Sequence, residues 1–429
     1  MKTEIGHYTV DGKMYASKFD AVLAAKDTNS EIEWNFFDDK FSKVNWYAEP
    51  LLSLDELYRI RARQIRDQYD YIIVFCSGGS DSNNVIRTFL KNNIHVDEVV
   101  GLAPMSGLKN WDFDPTNLNE DNTISETKLA LFPLLNEISV ANPKIKLTVN
   151  DFFESIVNYK DDDWTYQSCG NIVTVLTSHF TDVLKFPHID KLLQQGKRIG
   201  LVYGTDKPII RISEAGNLYF VFADSGINYL NMPEERANSL IDRVLFYWSA
   251  DLPELLVKQA HIVAKAITLP QYKYIQEYLA ARPKSQATGS FQDVITAQEQ
   301  MGINPITKHD ILDKYLNKGN IQDDRRIPLT SKTIYQRAIV PFIYPTTYTK
   351  ELFQCQKVDA DAGFFTQDQA WLQKLHNQSR VSEMVTSGIK TLYNSIPARY
   401  LNINGTGFVN HIKVYHFGKL QKYILLNNN

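Results

Sequence analysis

Residues 71–91 constrain this chain more than any other stretch. Tyr71-Ile72-Ile73-Val74-Phe75-Cys76 is an unbroken apolar run, the pattern of a strand buried on both faces of a parallel sheet. Ser77-Gly78-Gly79-Ser80-Asp81-Ser82 follows directly, and after it Val85, Ile86, Phe89 and Leu90 recur at helical spacing. A strand, a tight turn and a helix start together make an anion site. Backbone N–H groups converge there, the helix dipole adds partial positive charge, and glycine lets the chain approach a ligand without a Cβ in the way. The serine hydroxyls add donors, and phosphate is the expected guest.

Two common phosphate loops do not fit. The Walker loop needs Lys after its glycines, and the dinucleotide fingerprint needs three spaced glycines. Neither pattern is present. The run Ser77 to Ser82 instead resembles the SGGxDS signature of the PP-loop ATP pyrophosphatases, the superfamily of asparagine synthetase, GMP synthetase, NAD synthetase and tRNA lysidine synthetase. The resemblance implies cleavage of ATP between its α and β phosphates, transfer of AMP to a substrate oxygen, and pyrophosphate held in this loop. The competing reading is a chance Gly/Ser turn in an α/β protein.

The bulk properties suit an intracellular enzyme. A chain of 429 residues is expected to form two or three domains. The net charge of −3 gives no general pull toward nucleic acid or an anionic membrane. Cys76, Cys169 and Cys355 are far apart and in no paired spacing, which suggests a reducing compartment without structural zinc. No signal peptide and no apolar run of transmembrane length is read, so the expected location is the cytoplasm, the host's if the chain is phage-encoded.

The expected fold class is α/β. The resemblance implies an adenine-nucleotide α-hydrolase-like parallel sheet with helices on both faces. A small N-terminal α+β segment and a mainly helical C-terminal region would flank it. Three segments are read: 1–50, 51–230 as the ATP-binding domain, and 231–429 as an acceptor or lid region with a polar, mobile 282–332. In the first, Asp11-Gly12 between His7–Val10 and Met14–Ala16 signals a hairpin, and a helix follows from about Ser17 to Lys26. Trp34, Phe36, Phe37, Phe41, Trp46 and Tyr47 read as a small satellite core or, more sharply, as a stacking surface for a base. Lys2 stands where glutamine-dependent asparagine synthetases carry a catalytic cysteine, which implies no glutaminase domain.

In the second segment, Ser53-Leu54-Asp55-Glu56 is a capping box opening a helix to about Gln68. Arg59, Arg63 and Arg66 share a face of it, a solvated stripe or a polyanion contact. Val96–Leu102 reads as the next strand, and Leu102, Ala103 and Met105 are candidates for the adenine wall or for plain core. Lys144–Val149 reads as a strand, Ser125–Val140, Asp151–Asn158 and Trp164–Leu184 as helices. Asp161-Asp162-Asp163 reads as an exposed loop or N-cap because consecutive positions cannot face one metal, and a lone helical His179 reads as structural.

A second apolar strand, Ile199 to Tyr203, runs into Gly204-Thr205-Asp206-Lys207-Pro208. This turn is similar in form to the second phosphate-facing loop of the same superfamily, though it departs from the asparagine synthetase pattern. Mg2+ on a triphosphate wants carboxylates from more than one element, which Asp81 and Asp206 would supply. Charge growing on pyrophosphate wants a fixed cation, Lys207 or Arg211. Tyr203, Gly204 and Thr205 join the nucleotide-binding set. The alternative is a surface turn before a hairpin of Ile209–Ile212 with Leu218–Phe222.

Pro233 is expected to start a helix reaching about Trp248, and Pro253 another reaching Ile267, with Tyr247-Trp248-Ser249 between them as core or lid. Pro341–Pro345 reads as extended, and Tyr400–Leu426 as short strands. With its two loops the chain resembles the asparagine-synthase-like PP-loop proteins of bacteriophage genomes. That resemblance implies ATP and Mg2+, an acceptor that is a small molecule or a nucleotide, and attack on the adenylated acceptor by an amine or ammonia. Modification of a nucleic-acid base and nucleotide binding without turnover are the alternatives.

Overall fold

The computed structural model describes residues 6–103, 130–151, 186–204, 209–213, 215–224, 238–272, 339, 342–344, 395–400, 408–409 and 411–427. The N-terminal elements are β1 (His7–Val10), β2 (Lys13–Tyr15), α1 (Lys18–Thr28), β3 (Glu33–Asn35) and α2 (Asp38–Phe41). Next come α3 (Leu54–Gln68), β4 (Tyr71–Cys76), α4 (Ser80–Lys91), β5 (Glu98–Ala103), α5 (Phe132–Ala141) and β6 (Lys146–Asp151). They are followed by α6 (Pro187–Gln194), β7 (Ile199–Tyr203), β8 (Ile209–Ile212), β9 (Asn217–Ala223) and β10 (Ile241–Leu245). The last are α7 (Pro253–Ile267), β11 (Ile412–Lys419) and α8 (Leu420–Asn427).

Five strands form one sheet in the order β10-β7-β4-β5-β6, and all four pairings are parallel. The chain runs outward from β4 through β5 to β6, then returns to the other side of β4 for β7 and β10. The order therefore reverses between β4 and β7, where two successive loops diverge and open sheets bind their ligands. One sheet face, with Ile72, Val74 and Cys76, joins the core cluster that holds buried residues of α3, α4, α5 and α7. On the other face, Ile73, Phe75, Val100, Ile199 and Leu201 pack with Ile189 of α6. The fold is α/β with a parallel sheet flanked by helices.

Local signals set most of these elements. Ser53 and Glu56 close a reciprocal capping box at the start of α3. Asp11 and Gly12 both have positive φ, 48° and 77°, the type I′ turn whose twist matches the hairpin. β8 and β9 form the expected antiparallel hairpin, and β11 adds to the outer side of β9. α7 covers the expected Pro253–Ile267.

Four expectations are corrected. Ile241–Leu245, placed in a helix from Pro233, is the fifth parallel strand, in register with Ile199–Tyr203. The proline and acids upstream gave a helix-start signal, but pairing with the open edge of β7 decides the conformation of 241–245. Phe342-Ile343 is helical rather than extended. The tail holds an eight-residue strand and a helix instead of short strands alone. The helix expected from Asp151 is not seen at that residue, which ends β6. Helix 164–184, Asp161–Asp163, His179, Cys169, Cys355 and 282–332 lie outside the described residues.

The N-terminal aromatic residues are core. Phe36 packs on Phe222 at 4.7 Å between centroids, Trp46 stacks on Tyr415 at 4.4 Å, and Trp248 stacks on Phe222. Trp34, Phe36, Phe41 and Trp46 are buried, which consumes the faces a base would need, while Tyr47 is exposed. Beneath them lies a buried ion cluster. Lys18 Nζ is 2.7 Å from Asp224 Oδ2, and Asp224 also accepts from the Tyr8 hydroxyl and the His411 backbone N–H. Burial works against ionisation of the Asp224 carboxyl, but Lys18 and His411 hold it below its ordinary range. This cluster ties α1 to the end of β9 and the start of β11. No helix among the described residues is long and apolar enough to cross a membrane.

Candidate functional site

β4 ends at Cys76, and α4 starts at Ser80 with Gly79 as its N-cap, a residue with no side chain to cap the first-turn N–H groups. Gly78 takes φ +91°, and a Cβ there would lie 2.5 Å from the backbone nitrogen of Leu131. Only glycine satisfies both conditions. The turn braces itself: Gly79 N–H donates to Ser77 Oγ at 3.2 Å, and Ser82 Oγ donates to the Gly79 carbonyl at 3.2 Å. Gly78, Gly79, Ser80 and Ser82 are buried, whereas Ser77 and Asp81 are half-exposed.

The second loop meets the first. A Cβ on Gly204 would sit 3.0 Å from the carbonyl carbon and oxygen of Asp81 and from the nitrogen of Ser82. The ends of β4 and β7 thus touch at the point where strand order reverses. Tyr203, half-buried, stacks on Phe75 at 4.7 Å between centroids and 13° between planes. Thr205, Asp206 and Lys207 lie outside the described residues, as does Met105. Arg211 is on β8 of the antiparallel sheet, half-buried, with Nη1 donating to the Ile210 carbonyl. Ala103, the last residue of β5, is fully buried in the main core, so it is packed rather than open to a cleft, and Leu102 pairs with Asn150 of β6.

What the sequence did not reveal is how Asp81 is held. The Tyr344 hydroxyl donates to Asp81 Oδ1 at 2.5 Å, and the Tyr247 hydroxyl donates to the Asp81 carbonyl at 2.8 Å. Asn84 Nδ2 donates to the Tyr247 oxygen at 3.0 Å. Tyr58 donates to the Ile343 carbonyl at 2.7 Å and accepts from Gln259 Nε2. Arg61, buried on α3, donates to the Leu245 and Phe246 carbonyls and so fixes the turn that presents Tyr247. Burial, with the negative charge of Asp81 nearby, pushes the Tyr344 phenol well above its ordinary value. It stays a protonated donor. Tyr247-Trp248-Ser249 is buried, so of core and lid the structure places it as core, with Tyr247 reaching the site. Asn84, one helical turn past Asp81, offered a local hint. Tyr344, 263 positions away, offered none.

A second polar cluster lies at the opposite end of the sheet. Glu98, fully buried at the start of β5, accepts from Tyr71 at 3.0 Å, from Thr148, and pairs with His188 at 2.7 Å. Every one of its charge needs is met, and the N-terminal strand ends where it sits are not where open sheets bind ligands.

The groups that the resemblance implies at these loops are a triphosphate and Mg2+. For a triphosphate, the fit is a glycine cradle at the uncapped N-terminus of α4, closed by a second loop. For Mg2+, Asp81 is the one described carboxylate at these two loops. No group of three or more His, Cys, Asp or Glu able to hold a metal occurs among the described residues. No protein-family model matches the chain, and no curated protein matches it in sequence.

Proposed function

We propose that this protein is an ATP pyrophosphatase of the PP-loop kind, built on an adenine-nucleotide α-hydrolase-like sheet. In this reading it adenylates an acceptor for attack by an amine or ammonia. The observation that carries the proposal is the contact of Gly204 with Asp81 and Ser82. It brings a Gly/Ser helix-start loop and a second glycine loop together at the switch point of a parallel sheet. Ser77, Gly78, Gly79, Ser80 and Ser82 would cradle the phosphates, and Asp81, with Asp206, would hold Mg2+. Lys207 or Arg211 would face the charge that grows on pyrophosphate as the α–β bond breaks. The acceptor oxygen would take the α phosphoryl group, and positioning with electrostatic stabilisation would supply the rate.

A second reading is nucleotide binding without turnover. The serine hydroxyls bonded back into the turn and the burial of Ser80 and Ser82 favour it. Pyrophosphate release from ATP and Mg2+, with and without carboxylate and nucleotide acceptors, separates the two. Asp81→Asn is the informative variant, because its amide oxygen still accepts from Tyr344 while the charge is gone. Loss of release with an unchanged melting temperature is expected. Unchanged release in that variant removes the site assignment, and ATP binding without release under every acceptor condition selects the second reading.

A further inference from the structure

A half-exposed aspartate in the first turn of a helix would ordinarily swing among rotamers in water. Asp81 is instead gripped at two points by buried tyrosines from remote parts of the chain, at Oδ1 by Tyr344 and at its carbonyl by Tyr247. Tyr344 is itself held, because Tyr58 fastens the preceding carbonyl of Ile343 and the three phenol rings lie 5.4 to 6.5 Å apart. Gln259 of α7 and Asn84 of α4 steady Tyr58 and Tyr247 in turn. Tyr344 thus fixes the carboxylate and Tyr247 the main-chain carbonyl of the same residue, while side chains of α3, α4 and α7 steady the segments that carry the two tyrosines. A surface acid with only a structural role has no use for such support, whereas a metal ligand gains from it, because a carboxylate already hydrogen-bonded at one oxygen presents a fixed direction to the ion.

We infer that Tyr344 is a positioning residue that orients the Asp81 carboxylate for a divalent cation, so that the nucleotide site is completed by the C-terminal half of the chain. The inference rests on the nucleotide reading above. Removal of an outer partner of a metal ligand typically weakens metal affinity by about 10- to 100-fold.

The test uses the full chain with Mg2+ and ATP as probes and reads binding by calorimetry. Tyr344→Phe is expected to raise the half-saturating Mg2+ concentration by about 10- to 100-fold while leaving ATP binding in EDTA unchanged. Tyr423→Phe removes a buried hydrogen bond outside this network, the one to His261 Nδ1, and it is expected to lower the melting temperature and leave the Mg2+ requirement as in the wild type. A purely structural role predicts that the two variants behave alike. Should Tyr344→Phe unfold at the assay temperature, the series is repeated in trimethylamine oxide, which favours the compact state. A wild-type Mg2+ requirement in Tyr344→Phe overturns the inference alone. Absence of ATP binding in the wild-type protein at any Mg2+ concentration overturns the nucleotide reading, and this inference falls with it.

Discussion

Replacing Gly78 with alanine applies two separable penalties at the centre of the candidate site. The first is conformational: at φ +91° an L side chain is strained, which costs about 1 to 2 kcal/mol. The stiffer unfolded chain of the alanine variant returns part of that, on the order of 0.5 kcal/mol. The second is steric: the new Cβ would lie 2.5 Å from Leu131 N and 2.8 Å from its Cα, both backbone atoms that cannot rotate away. Overpacking of this kind costs about 1 to 3 kcal/mol. The sum is roughly 2 to 4 kcal/mol, a large part of the stability of an ordinary domain. Two companions isolate the parts. Gly196→Ala carries φ +70° with nothing within 4 Å of the new atom, so it tests the conformational part, about 1 kcal/mol. Gly204→Ala has no left-handed φ but meets Asp81 and Ser82 at 3.0 Å, so it tests close approach alone. Guanidinium midpoints at constant slope give the three differences. If Gly78→Ala loses no more than Gly196→Ala, Leu131 does not lie over the turn and the described geometry of the phosphate loop is wrong.

Two further predictions concern stability and pH. Asp224→Ala is expected to cost about 3 to 5 kcal/mol, because it leaves Lys18 buried without its counter-ion. Since the Asp224 carboxyl sits below its unfolded value, its stabilisation is complete above the ordinary carboxylate range and is lost as pH falls through the folded value, so the variant should show a shallower acid-unfolding curve. His261 is buried, donates from Nε2 to the Trp46 carbonyl and accepts from the Tyr423 hydroxyl at Nδ1. Burial holds its imidazole below the ordinary value, so the neutral form contributes fully above about pH 6.5, and stability falls as pH drops from there toward the folded value. Denaturant midpoints between neutral and mildly acid pH should decline in the wild type and decline less in His261→Phe. Equal slopes would show that His261 is not the group responsible.

The sequence by itself determined what depends on neighbours along the chain. An apolar run fixed β4, two glycines between serines fixed the turn after it, Ser53 with Glu56 fixed the start of α3, and Asp11-Gly12 fixed the first hairpin. These signals are legible because backbone sterics, capping and turn geometry act over about four residues. The meeting of the Gly78-Gly79 and Gly204 loops is implied only by the resemblance, and it is the sheet order, with β7 beside β4, that brings them together. Tertiary structure decided the rest. Ile241–Leu245 is a strand because β7 offers it an open edge to pair with, whatever helix signals precede it. Arg61 of α3 is buried because two carbonyls at the end of β10 take its donors. Asp81 is locked by tyrosines 166 and 263 positions later, whose hydrogen bonds exist only once these remote segments have packed against the start of α4. No local pattern encodes a partner at that distance, since such a bond forms only when burial removes water as the competing one.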